Sequence, residues 1–249
     1  MAGAIRNGAW TNSAPTSGPD RGITDRPLDE VFGAGKLDVN VAHLILTGGE
    51  QDGAVTPSSG GTITENGWDL ATIDAGGSRY YHFSVNEAAD AVSLLATWNR
   101  RVPNSFNSYS LADVDLTMWR VECGGSLQSI TGEAGSAYFD SGNVVSESDV
   151  DNVELLHVVN LQPGEYVVEL ERVDNMTSEP HWDVALAWHL PEQIEGDLNG
   201  DGEINVPDLL SLLEQWGECP TDSVCPADLD GDCTVSVPDL LTLLGNWTF

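Results

Sequence analysis

Positive charge is nearly missing from this chain. Its 249 residues hold 9 Lys+Arg against 40 Asp+Glu, a formal net charge of -31. Lys36 is the single lysine, and no Lys or Arg follows Arg172. Such a surface repels phosphate backbones and anionic bilayers, so nucleic acid and membranes are excluded as partners. No run of 18 apolar residues exists, so no membrane-spanning helix is expected. The stretch Met1-Ala-Gly-Ala-Ile-Arg-Asn-Gly8 lacks an apolar h-region and does not read as a signal peptide. Cysteine is sparse as well: Cys123 stands apart, while Cys219, Cys225 and Cys233 lie close together. Four cysteines allow three complete pairings, and spacing does not choose among them. The simplest expectation is a staple within the C-terminal part, Cys219–Cys225. Without a C-x₂₋₄-C pair or a nearby His, the set argues against zinc.

What the chain does have is a repeat. Asp197-Leu-Asn199-Gly-Asp201-Gly-Glu203-Ile-Asn205-Val-Pro-Asp208 recurs 31 residues later as Asp228-Leu-Asp230-Gly-Asp232-Cys-Thr234-Val-Ser236-Val-Pro-Asp239. Each copy is followed by a leucine-rich segment ending in Trp216 or Trp247. Oxygen side chains fall at loop positions 1, 3, 5, 9 and 12, the pattern with which a short loop wraps Ca²⁺. Calcium is a hard ion that takes about 6–8 oxygen ligands at about 2.3–2.6 Å. The first loop offers side chains of Asp197, Asn199 and Asp201, the Glu203 carbonyl, Asn205 directly or through water, and Asp208. The second offers Asp228, Asp230, Asp232, the Thr234 carbonyl, Ser236 and Asp239. Two Ca²⁺ ions are therefore expected.

Position 6 demands a sharp turn with positive φ. Gly202 suits it, but the second loop has Cys233 there. A non-glycine residue in the left-handed region costs about 1–2 kcal/mol. The second site is expected to be strained, weaker, or fixed by a disulfide through Cys233. Ile204 and Val235, at position 8, are expected to pair across the loops. Pro207 and Pro238 suit the first turn of a following helix. Leu209, Leu210, Leu212, Leu213 and Trp216, with Leu240, Leu241, Leu243, Leu244 and Trp247, are expected to bury two apolar helix faces against each other. So few residues supply little core, so folding and metal binding are expected to be coupled.

Residues 192–249 resemble a type I dockerin, a small α-helical double EF-hand-like module with Asp rather than Glu at position 12. Dockerins plug enzymes into a cohesin, so the resemblance implies a cohesin-like or cell-surface protein as partner. The hydroxyl pair that commonly makes the cohesin contact is replaced here by Val206-Pro207 and Val237-Pro238.

From Gly67 to Leu190 the pattern changes to period two. Tyr81, Phe83 and Val85 alternate with polar neighbours, as do Val114, Leu116 and Met118, and then Tyr166, Val168 and Leu170. Trp182, Val184, Leu186, Trp188 and Leu190 share one face. Several short strands with turns such as Gln162-Pro163-Gly164 predict an antiparallel β-sandwich over about 120 residues. The Asp113-Val-Asp115-Leu strand and the Leu161-Gln-Pro-Gly-Glu-Tyr166 hairpin make residues 50–191 similar to the bacterial pre-peptidase C-terminal domain, which implies a jelly-roll-like sandwich behind a secreted peptidase. Residues 50–66 read as a loop or linker. Asp113 and Asp115 read as solvent-facing strand residues rather than cation ligands.

Residues 1–49 resemble the end of a subtilisin-like serine peptidase domain, through Phe32-Gly-Ala-Gly-Lys-Leu-Asp-Val-Asn-Val-Ala-His43. A short helix is expected over Leu37–Leu46, requiring a partner body that this chain need not contain. The triad segments of that family are absent. His43, His82, His157, His181 and His189 have no Ser or Asp spacing that suggests a triad, so no catalytic residue is expected. The expectation is a mainly β, noncatalytic, extracellular C-terminal region of a longer secreted polypeptide, whose calcium module docks to a protein or surface. Two alternatives remain: a carbohydrate-binding or polysaccharide-degrading protein carrying a dockerin, with Trp68, Trp98 and Trp119 as candidate exposed aromatics, or the C-terminal part of an active subtilisin-like endopeptidase.

Overall fold

The computed structural model describes residues 14–29, 33, 35, 37–57, 61–173, 179–220 and 225–248. The elements run β1 (Ile23–Thr24), α1 (Val39–Gly48), β2 (Asn66–Asp74), β3 (Ser78–Val85), β4 (Ala89–Trp98), β5 (Asp113–Val121), β6 (Leu127–Ser129), α2 (Gly132–Gly135), β7 (Ser141–Asn143), β8 (Val145–Ser146), β9 (Val153–Leu161), β10 (Gly164–Val173) and β11 (His181–His189). They continue with α3 (Val206–Glu214), β12 (Gly217–Glu218), β13 (Thr234–Val235) and α4 (Val237–Gly245). The protein is mainly β with few helices. No helix among the described residues is long and apolar enough to cross a membrane.

One sheet has the order β1-β8-β5-β10-β3, with β6 on β5, and the other β2-β11-β4-β9-β7. Among the described residues, the pairings between these strands are antiparallel except β1 with β8. The chain changes sheet at nearly every step from β2 to β11. The period-two residues explain why both sheets form: Tyr81, Phe83, Leu116, Met118, Tyr166 and Val168 from one, and Ile73, Leu94, Trp182, Val184 and Trp188 from the other, are buried in one continuous cluster. We call this two-sheet unit the β-body. Gln162-Pro163-Gly164 is not a hairpin turn. It links β9 in one sheet to β10 in the other, helped by the left-handed Asn160 at φ 56°.

The N-terminal segment is part of the β-body over its described residues. Ile23 and Thr24 pair with Val145 and Ser146. Arg21 donates to the carbonyls of Phe139 and Asp140, at 2.5 and 3.1 Å, and stacks on the Phe139 ring at 3.9 Å. The helix expected over Leu37–Leu46 forms as α1, capped by Asp38, which accepts N–H bonds from Asn40 and Val41. Its partner is within this chain: α1 lies on β2 and β11, with Ile45 inward. Gly48 allows that approach, since a Cβ there would overlap the Asn66 backbone. Met1–Gly8 lies outside the described residues, and of the turn Phe32–Lys36 only Gly33 and Gly35 are described. The described residues of the 50–66 stretch are anchored: Glu50, Ala54 and Thr62 bridge to Trp68, Tyr80 and His82.

One buried carboxyl makes the β-body pH-sensitive. Glu154 is fully buried and accepts hydrogen bonds from the Ser146 hydroxyl and the Ser148 N–H. Burial pushes its pKa from 4.5 up to about 9, although both hydrogen bonds pull it back. Between those two values the folded state holds a proton that the unfolded chain releases, so stability falls as pH rises. Glu154→Gln removes this slope. Relative to wild type, its melting temperature is expected to gain about 3 °C or more between pH 5 and pH 8, the response of a protein this size to about 1 kcal/mol. Parallel melting curves for the two proteins would disprove it.

Candidate metal centre

The described residues of 197–248 form a module at one end of the β-body. Its core is Ile204, Leu212, Ala227, Val235 and Leu243, with Leu198, Leu209, Leu229, Leu240, Trp247, Cys219 and Cys225 around them. The two loops organise themselves in the same way. Asp208, at the third position of α3, accepts N–H bonds from Leu198 (2.9 Å), Asn199 (3.2 Å) and Asn205 (2.8 Å). Asp239 does the same for α4, from Leu229 (2.7 Å), Asp230 (3.2 Å) and Ser236 (2.7 Å). The last bond of each set is half of a capping box, and it ties the loop to the helix start. Pro207 and Pro238 occupy the first turn, where a missing N–H costs nothing.

Position 1 is equally repetitive. Asp197 accepts from the N–H groups of Gly200, Asp201 and Gly202 at 2.8, 3.3 and 2.7 Å. Asp228 accepts from Asp232 and Cys233 at 3.1 and 2.8 Å. Position 5 takes the N–H of position 7: Asp201 from Glu203 at 2.9 Å, Asp232 from Thr234 at 2.8 Å. Oxygens of Asp228, Asp230 and Asp232 come within 4.8 Å of one another. In the first loop Asn199 replaces the middle acid, and its amide donates to Asp201 at 3.0 Å. Asn205 and Ser236, at position 9, are extended N-cap residues. Burial pushes the Asp228 carboxyl up, and its neighbours Asp239 and Asp232 push the same way. The N–H groups of Cys233 and Asp232 pull it back.

The donor set fits a hard divalent cation. It is oxygen throughout, with several carboxylates per loop, and every cysteine is committed to a disulfide. A bound ion would be held by Asp197, Asn199, Asp201 and Asp208, and by Asp228, Asp230, Asp232 and Asp239.

Two expectations about the module are corrected. Ile204 and Val235 do not pair with each other. Val235 pairs with Gly217 in the β12–β13 ribbon, and Ile204 pairs with Thr248, which donates its N–H to the Ile204 carbonyl at 3.0 Å. Thr248 Oγ1 in turn accepts the Ile204 N–H at 2.8 Å. Gly217 and Thr248 are themselves 31 residues apart, so each loop is closed by the segment after the other loop's helix. The second correction concerns the leucines. Leu212 and Leu243 are buried, but Leu210, Leu213 and Trp216 are 55%, 48% and 45% exposed, and Leu241 and Leu244 63% and 46%. Each helix turns one apolar stripe inward and a second one outward.

Cys219 joins Cys225, and Cys233 joins Cys123 in the turn after β5. Cys233 has φ 71°, beside 83° for its counterpart Gly202. Sequence reading assigned Cys123 no partner. The signal was parity: three clustered cysteines always leave one over. No catalytic constellation was expected. Ser93 and His157 do meet, 2.8 Å apart, but they are cross-strand partners on β4 and β9 and His157 is buried. Of the candidate aromatics, Trp98 is core, with its indole N–H on the Ala112 carbonyl, and Trp119 is tied to Glu169.

No protein-family model and no curated protein sequence matches this chain. Solved structures with some likeness include a protein of Sulfurospirillum deleyianum, 8% identical over 51% of this chain and 98% of that one, TM-score 0.28. Aeromonas hydrophila PliG, a periplasmic inhibitor of g-type lysozyme, is 6% identical over 52% and 94%, TM-score 0.31. A mitogen from Yersinia pseudotuberculosis is 13% identical over 54% and 93%, TM-score 0.30. At these scores the likenesses carry no argument about fold or function.

Proposed function

We propose that this chain is the noncatalytic C-terminal region of a secreted, peptidase-like protein. The β-body serves as a jelly-roll-like β-sandwich of pre-peptidase C-terminal type. The module behind it is a dockerin-like unit, folded by two Ca²⁺ ions, that docks to an extracellular protein or cell-surface component. Two disulfides and the oxygen-rich loops suit an extracellular setting, where both disulfides and free Ca²⁺ persist.

The observation that carries the docking role is the outward stripe. Val206, Leu210 and Leu213 on α3 are matched by Val237, Leu241 and Leu244 on α4, all exposed. A module with so small a core does not gain stability from leucines in water. Their repetition at the same register presents two equivalent apolar patches. Val206 and Val237 stand where cohesin-binding dockerins commonly have a hydroxyl, which points to an apolar contact instead. Leu210→Glu/Leu241→Glu tests the role. Stability is expected to change by less than about 0.5 kcal/mol, as for exposed sites. Capture of an extracellular partner from the source organism, seen with calcium and lost with chelator, is expected to drop at least ten-fold. Undiminished capture by the double variant would rule these stripes out.

A further inference from the structure

The two loops are approached from outside by carboxylates that their own motif does not contain. Glu87, in the corner between β3 and β4, presses its Oε2 against Gly200, so that any Cβ there would overlap it, and the N–H of the same Gly200 is held by Asp197. Glu165, at the start of β10, shares the seam with Asp228. Asp197 and Asp228 are equivalent position-1 residues, yet the glutamates that meet them come from different corners of the β-body. Glu165, Asn86 and Asp228 line both cavities of the seam, of about 190 and 240 Å³. Like charges so placed oppose docking. The module has no lysine or arginine to offset them. Arg120 lines one of the cavities, but its guanidinium lies over the Tyr138 ring at 4.8 Å, not on a seam carboxylate.

We propose that Glu87 and Glu165 join calcium occupancy of the loops and seating of the module on the β-body into one linked equilibrium. The inference rests on the calcium reading above. An ion in each loop turns the repulsion into attraction. By reciprocity, the seated glutamates raise the affinity of each loop for its ion. Without ions the like charges push the module away, and it stays attached through the Pro191–Gly196 connection and the Cys123–Cys233 bond. Gln193, in that connection, reports the seating from next to the module, because its Oε1 accepts the N–H groups of Asn86 and Glu87 at 2.7 and 3.3 Å.

The test uses the full chain, with Glu87→Gln, Glu165→Gln and the double variant. Calorimetry with Ca²⁺ reads affinity, and hydrogen exchange at Asn86 and Glu87 reads seating. In wild type, chelation is expected to speed exchange at these two amides at least ten-fold. In the double variant that acceleration is expected to shrink to less than three-fold, while calcium affinity falls roughly five-fold per site. Circular dichroism in calcium confirms that the variants fold. Wild-type affinity in the double variant, or exchange that ignores calcium although calcium binds, would overturn the linkage and leave the calcium reading standing. No calcium uptake by wild type would overturn both.

Discussion

Chelation of calcium is expected to lower the melting temperature of the module and to spare the β-body. The reason lies in what each unit buries. The β-body has a continuous apolar cluster drawn from both sheets. Among its described residues the module has five buried apolar ones, Asp208 and Asp239 are buried as well, and the module has no lysine or arginine of its own. So small a core leaves the conformational entropy of its loops nearly uncompensated. Ion binding supplies the difference: at 1,000 times Kd, one bound ion stabilises by about 4 kcal/mol. For a unit this size that moves a melting transition by roughly 15 °C or more. Calorimetry with excess Ca²⁺ and then with EDTA is expected to show one transition falling by that amount and a second, from the β-body, holding within about 2 °C. The helical signal of α3 and α4 follows the first. Two transitions indifferent to EDTA would mean that divalent ions do not hold the module together.

How much of this was legible in the sequence follows from how local each cause is. The loops were legible because Asp197 and Asp208, and Asp228 and Asp239, are bound to backbone groups of their own loop, so the pattern and the structure share one short stretch. The inner faces of β3, β5, β10 and β11 were legible for a similar reason: period two places Tyr81, Leu116, Tyr166 and Trp182 on one side whatever the strand order. Strand order itself was not legible. Nothing local to Gln162-Pro163-Gly164 says whether it joins neighbours in one sheet or crosses between two. The exposed leucines were misread because amphipathicity gives the width of an apolar face, not how much of it a partner covers. Leu210 and Leu212 look alike in sequence, yet two residues apart on a helix they point to opposite sides, so only one of them meets the module's core. Glu87 and Glu165 carry no sequence signal, since their role arises where two separately encoded units touch.

Removing the Cys123–Cys233 crosslink is expected to cost the module about 3–5 kcal/mol, because it closes a loop of 110 residues and so restricts the unfolded chain strongly. The Cys219–Cys225 staple, spanning only 6, restricts it less. Cys123→Ala isolates the effect, with urea unfolding in saturating calcium as the measure. Cys233 then remains at φ 71° without its disulfide, its N–H still on Asp228, at the position where the first loop has Gly202. Adding Cys233→Gly to Cys123→Ala is therefore expected to restore about 1–2 kcal/mol, the left-handed penalty of a residue with a Cβ. A double variant less stable than Cys123→Ala would show that Cys233 sits there without strain. A restored double variant gives the cysteine its meaning. The second loop accepts an unfavourable residue at its sharpest turn because that turn meets Cys123 just after β5, and the bond it forms outweighs the strain it imposes.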